Sequence, residues 1–179
     1  MYYFTHYLSP VGEIMLASDH QSLKGLWIEG QKYHGKDMGI EMEENHDLEI
    51  LKKAKMWLDR YFAGEMPQIC ELSISPDGSV FRKTVWEILC QIPYGQVTTY
   101  GEIAKKAAVK LGRESMSAQA VGGAVGHNPI SIIIPCHRVV GADGSLTGYA
   151  AGIAVKVRFL ELEGVDMSGL YVPGHGTAL

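Results

Sequence analysis

The sequence predicts an α/β protein in two parts. The N-terminal half mixes strands with one helix, and the C-terminal half is mainly helical around a helix-turn-helix. Three observations predict this class. Segments rich in Tyr, Ile, Leu and Trp, punctuated by turn residues, fill residues 2–28. One amphipathic helical period follows over residues 47–63. Past residue 80 the apolar spacing is helical almost throughout, with capping residues at the starts.

Taken in order, residues 2–8, 13–18 and 23–28 read as strands, separated by Ser9-Pro10-Val11-Gly12 and Asp19-His20-Gln21-Ser22. Residues 31–46 are polar without a period and read as a loop. Leu48, Leu51, Ala54, Leu58, Tyr61 and Phe62 share one helix face, and Gly64 stops that helix. A short strand is expected near residues 69–74. Ser75-Pro76-Asp77-Gly78-Ser79 is the strongest turn in the chain, so domains are expected at 1–78 and 79–165, with 166–179 as a tail. In the second domain Phe81, Val85, Ile88, Leu89 and Ile92 form a helix face ended by Pro93. Thr99 and Glu102 fit a capping box that opens a helix to about Val109. A second short helix is expected over residues 117–126. The pair, flanked by Lys105, Lys106, Lys110 and Arg113, reads as a helix-turn-helix or as two packed helices with solvated lysines.

Composition narrows the function classes. With 46% hydrophobic and 20% charged residues the chain is a soluble globular protein. Its longest aliphatic run is far short of the ~20 residues of a membrane span. The N-terminus lacks the pattern of a secretory signal, so an intracellular protein without membrane attachment is expected. Three cysteines without a Cys-x-x-Cys pair argue against both a disulfide framework and a zinc site. Charge is uneven. Residues 1–80 hold 7 Lys+Arg against 13 Asp+Glu, whereas residues 81–164 hold 9 against 6. Only the second half has the sign that suits phosphate.

Two stretches carry chemistry. In Ala118, Ala120, Val121, Gly122, Gly123, Ala124 and Gly126 nearly every side chain is small, although each glycine costs a helix roughly 1 kcal/mol. Close approach of the backbone repays that cost, either to another helix or to a DNA groove. In Ser131-Ile132-Ile133-Ile134-Pro135-Cys136-His137-Arg138 an aliphatic run reads as a buried strand broken by Pro135. Cys136 then stands beside two potential cations that can hold it as thiolate. Cys136 is thus either a nucleophile or a buried structural cysteine. Strand neighbours point to opposite faces, so a Cys136–His137 link needs a turn or a water.

Pro135-Cys136-His137-Arg138-Val139 resembles the active-site motif of the O6-alkylguanine-DNA alkyltransferases (methylated-DNA–protein-cysteine methyltransferases). The resemblance extends over Phe81-Arg82-Lys83-Thr84-Val85-Trp86 and Ile92-Pro93-Tyr94-Gly95-Gln96-Val97-Thr98-Thr99-Tyr100. It continues through Ala120-Val121-Gly122-Gly123-Ala124, Asn128-Pro129, Gly148-Tyr149, Lys156 and Glu163-Gly164. It is strong over residues 81–164; over 1–80 it rests on length and element order.

That resemblance implies a ribonuclease H-like N-terminal domain and a winged-helix-like C-terminal domain. It implies an irreversible, single-use transfer of an alkyl group from O6-alkylguanine, with O4-alkylthymine as a further substrate, to Cys136. His137 acts as base through a water, Glu163 orients it, and Asn128 braces the turn. Tyr100, Val139, Tyr149, Ala150 and Lys156 line the base pocket. Gln119, Ala120, Gly122, Gly123 and Arg138 face DNA, whose target base is flipped from the minor groove. No cofactor or metal is implied. The partner is double-stranded DNA carrying alkylated guanine, and the protein acts as a monomer. Two departures stand out. Gln119 replaces an arginine common in the family, which weakens support for the extruded base, and Ala151 replaces a common glycine. The rival readings are a non-catalytic alkyltransferase-like lesion binder and a cysteine hydrolase or redox enzyme. Lesion binders of that kind typically carry Trp in place of the cysteine, unlike this chain.

Overall fold

The computed structural model describes residues 1–35 and 39–174. The chain divides into two compact units. One comprises Met1–Asp77 with residues 129–133, and the other comprises residues 78–128 and 134–179.

The first unit is built on a four-stranded sheet. β1 (Tyr2–Ser9), β2 (Gly12–Ser18) and β3 (Leu23–Ile28) form an antiparallel meander, with Ser9 opposite Gly12 across the first turn. Strand β4 (Met42–Glu44) pairs parallel with β1, giving the order β3-β2-β1-β4. The sequence reading takes this stretch as loop. Three residues of acidic sequence carry no readable alternation, and only pairing with β1 makes them a strand. Residues Ile14 to Ser18 are all buried, so β2 is covered on both faces. Met15 and Ala17 share one face with Trp27, Phe4 and Met42. Helix α1 (Glu49–Phe62) buries Leu51, Ala54, Trp57, Leu58 and Tyr61 and ends where Gly64 adopts φ +82°. The strand expected near 69–74 is a 3₁₀ turn, Ile69–Glu71, followed by a single bridge from Ile74 to Leu23. Residues 131–133 are also not a strand. Ile130 makes one bridge to Leu26, and the chain then turns, with Ile132 at φ +71°. The run is aliphatic because it is buried.

In the second unit α2 (Val80–Leu89), α3 (Tyr100–Lys110) and α4 (Ala118–Gly126) pack on one another. Ser79, Thr99 and Ser117 each cap a helix by accepting the amide three residues on. Glu102 pairs its carboxylate with Lys105 at 2.9 Å. Helix α2 stops at Leu89, short of Pro93; tighter turn bonds from Gln91 and Ile92 close it. Trp86 donates its indole N–H to the Ala124 carbonyl at 2.9 Å, joining α2 to α4. A two-residue parallel pairing of β5 (Thr98–Thr99) with β6 (Val139–Val140) brings the start of α3 beside the Cys136 turn. Helix α5 (Ile153–Leu162) closes the unit. The described part of the expected tail packs onto this unit. Val165, Met167 and Leu170 pack with Val140, Leu146 and Leu160, and Tyr171 pairs with the backbone at residues 144–146. Residues 175–179, the end of the expected tail, lie outside the described residues. Among the described residues no helix is long and apolar enough to cross a membrane.

Candidate active site

Cys136 opens a 3₁₀ turn, Cys136–Arg138, set by Pro135. The turn, not a strand end, places thiol and imidazole on one short stretch of chain. All three of its residues are buried, and Cys136 is 4% exposed. The expectation of a thiolate favoured by two adjacent cations does not hold in the resting fold. Burial pushes the Cys136 thiol up, while a hydrogen bond from Asn128 and the charge of Lys156 pull it down less strongly. Arg138 lends it no relief because its charge is engaged elsewhere.

His137 is fully buried. Its Nε2 lies 2.7 Å from Glu163 Oε1. Its Nδ1 is buried with no hydrogen-bond partner among the described residues. A carboxylate at Nε2 selects the tautomer that donates there and leaves Nδ1 as an acceptor. Burial pushes the imidazole down from its ordinary value, against the pull of Glu163, and so favours the uncharged ring.

Glu163 sits at the C-terminal cap of α5 and is buried. Burial pushes its carboxyl up, but donors from His137 and Arg138 and their charges outweigh that and hold it at about 2. Arg138 grips both oxygens, with Nε to Oε2 at 2.8 Å and Nη2 to Oε1 at 2.9 Å. Its Nη1 donates to the Ile92 carbonyl at 2.7 Å. The sequence reading set Arg138 on a DNA face; the fold points its guanidinium inward. Gly95, at φ +79°, approaches closely as well. Its N–H lies 3.4 Å from Glu163 Oε2, and a Cβ there would come within 3.1 Å of the Glu163 carbonyl.

Asn128, buried after α4, donates Nδ2 to the Ile134 carbonyl at 2.8 Å, tying the helix end to the approach to Cys136. Lys156 is fully buried and has no carboxylate partner among the described residues. Its Nζ donates to the carbonyls of Val139 at 2.5 Å and Thr147 at 3.1 Å. Burial pushes it down to about 8, against the charge of Cys136. Tyr100, first in α3, donates its hydroxyl to the same Thr147 carbonyl at 3.1 Å. Burial pushes that phenol up. Val139, Tyr100 and Lys156 are therefore joined through the carbonyls of β6 and the following loop. Tyr149, half-buried in that loop beside Ala150 and Ala151, meets Phe159 edge-on at 6.2 Å, and Phe159 lies 5.2 Å from the His137 ring. Phe159 escaped the sequence reading, because a lone Phe at helical spacing reads as core.

Helix α4 exposes Gln119, Ala120 and Gly123 and buries Val121, Gly122, Ala124 and Val125. A Cβ built at Gly123 or Gly126 would meet nothing within 4 Å among the described residues. Packing inside the protein therefore gives no reason for glycine at those two positions.

A buried thiol on a turn, an imidazole held by a doubly bonded carboxylate, and a helix-turn-helix define the class: a cysteine-centred active site on a nucleic-acid-binding architecture. Family models agree. Residues 1–76 match the ribonuclease-like domain of 6-O-methylguanine DNA methyltransferase, and residues 80–165 match its DNA-binding domain. A methylated-DNA–protein-cysteine methyltransferase of Methanosarcina acetivorans is 43% identical over 164 residues, covering 90% of this chain and 98% of the relative. Its namesake in Haemophilus influenzae is 38% identical, covering 90% and 86%. The structure of Mycobacterium tuberculosis OGT in complex with DNA superposes with a TM-score of 0.79 at 37% identity, covering 90% of this chain and 92% of that one. The chain belongs to the 6-O-methylguanine DNA methyltransferase family.

Proposed function

We propose that this protein repairs DNA by moving an alkyl group from the O6 of guanine onto Cys136, once per molecule. The observation that carries this reading is the placement of His137: fixed through Nε2 by Glu163, with a buried Nδ1 left to accept a proton. His137 accepts the Cys136 proton through a water as sulfur attacks the alkyl carbon. The C–S bond forms, the C–O6 bond breaks, and guanine leaves with the electron pair. The thioether does not reverse, so each molecule is consumed. Catalytic duty thus falls to Cys136, His137 and Glu163, with Asn128 holding the turn.

The reacting carbon is out of reach inside a duplex, so the base must leave the stack. Tyr100, Tyr149, Ala150, Val139 and Lys156 receive it. The carbonyls of Cys136 and Val139 read its exocyclic amine, and Lys156 steadies the departing guanine. Gln119, Ala120 and Gly123 on the open face of α4 enter the minor groove, with Gly122 beneath them. The open space at Gly123 supports a groove over internal packing as the reason for glycine. Double-stranded DNA is the partner, the protein acts intracellularly as a monomer, and residues 1–78 support residues 79–165. O4-alkylthymine fits the same chemistry as a secondary substrate.

The test is mass spectrometry after incubation with an O6-methylguanine duplex. A gain of one methylene on the Cys136 peptide, lost in Cys136→Ala, is expected. Tight binding with an unmodified Cys136 would instead favour a lesion binder. Turnover of a small substrate without DNA would favour a hydrolase.

A further inference from the structure

Glu163 serves two partners, His137 and Arg138, and the proposed reaction uses only the first of them. Oε1 takes His137 Nε2 at 2.7 Å and Arg138 Nη2 at 2.9 Å, while Oε2 takes Arg138 Nε at 2.8 Å. With Nη1 on the Ile92 carbonyl at 2.7 Å, the guanidinium is paired along both edges. It is 7% exposed, and its central carbon lies 5.7 Å from the centroid of the Tyr94 ring. A carboxylate forked by arginine is already neutralised. It can still orient an imidazole, but it has little charge left to hold an imidazolium.

We propose that Arg138 is a positioning residue: by neutralising Glu163 it keeps His137 in its proton-accepting form and so sets the lower pH limit of alkyl transfer, rather than contacting DNA. The inference rests on reading His137 as the base. The groups facing His137 are Glu163, Lys156 and the Phe159 ring from α5, with Arg138 and Cys136 from its own turn. With Arg138 paired to Glu163, Lys156 is, among the described residues, a charge near the ring without a carboxylate partner, which disfavours a second cation. Burial acts in the same direction, and the charges of Arg138 and Lys156 both add to it. Without Arg138, Glu163 loses the cation that grips both of its oxygens and keeps His137 at 2.7 Å. The two then take up a proton at higher pH, whichever atom carries it.

The test uses full-length Arg138→Met and measures single-turnover methyl transfer from an O6-methylguanine duplex across about pH 5.5 to about 9. The His137 titration is followed by NMR in unreacted protein, and duplex affinity by fluorescence anisotropy. The acid limb is expected to move up by about one pH unit or more, so transfer on that limb falls about tenfold. The high-pH plateau and the affinity stay within about threefold of wild type. Arg138→Lys, which keeps the charge, is expected to keep the limb. Should Arg138→Met not fold, Arg138→Gln, neutral but able to hydrogen bond to Glu163, is expected to raise the limb in the same way. A uniform fall at every pH, with the His137 titration unmoved, overturns the proposal in favour of a structural role. So does lost duplex affinity with an unmoved limb, which would return Arg138 to DNA. A wild-type protein that transfers nothing at any pH sinks the repair reading itself, a result distinct from either.

Discussion

In the first unit the buried polar residues among those described are Thr5, Ser18, Gln31 and Ser131, all uncharged. The second unit buries His137, Arg138, Lys156 and Glu163 along one stretch of chain. Thr5 meets His46 at 2.8 Å, and Gln31 takes the Ile28 amide at 2.7 Å and the Ser131 hydroxyl at 3.3 Å. These are inexpensive pairings around an apolar core. Desolvating an ion costs several kcal/mol, and an apolar replacement of a buried pair is often as stable. Stability alone therefore does not explain why the second unit carries ions. The contrast separates a unit selected for packing from one that gives up stability to hold a reactive geometry.

Four experiments break or sharpen that contrast, in order of expected effect. Glu163→Ala leaves Arg138 buried and unpaired; it should cost about 3–5 kcal/mol in urea unfolding. It should also abolish methyl transfer in the fraction that remains folded. Leu58→Ala, in the apolar core of the first unit, should cost about 2–5 kcal/mol. Transfer per folded molecule should keep its rate, as read by mass spectrometry on protein repurified as folded monomer.

Acid comes next. Glu163 is held at about 2 in the fold against 4.5 as an ordinary glutamate. A carboxyl with a lowered folded value stabilises fully above its unfolded value and loses that contribution as pH falls towards the folded one. Wild-type stability should therefore drop between about pH 4.5 and about pH 2, and more steeply than in Glu163→Gln. Urea melts at several pH values check this.

The smallest stability effect is also the most pointed. Gly123→Ala places a methyl in open space on an exposed helix, so it should stabilise the protein by roughly 0.5–1 kcal/mol. Affinity for an O6-methylguanine duplex should weaken nonetheless. Calorimetry and anisotropy on the same sample read the two directions, and unchanged affinity would remove α4 from the DNA face.

Much of this protein is written locally. Aromatic and aliphatic enrichment bounded by turn residues marks β1 to β3, and Thr99 and Ser117 mark the starts of the helix-turn-helix. Cys136 beside His137 marks the reactive turn. Each is a signal carried by neighbours in sequence, through backbone geometry or hydrogen bonds a few residues long. Tertiary structure decided the rest. It made residues 42–44 a strand and turned residues 131–133 away from one. It also sank Arg138, Lys156 and Glu163, residue types whose default place is the surface. Glu163 becomes a partner of His137 only when the end of α5 packs against the Cys136 turn. Arg138 becomes its counter-ion only because the same packing buries both side chains together. Burial of charge depends on the whole surrounding core, so no window of sequence contains it, whereas a cap or a turn needs only its neighbours.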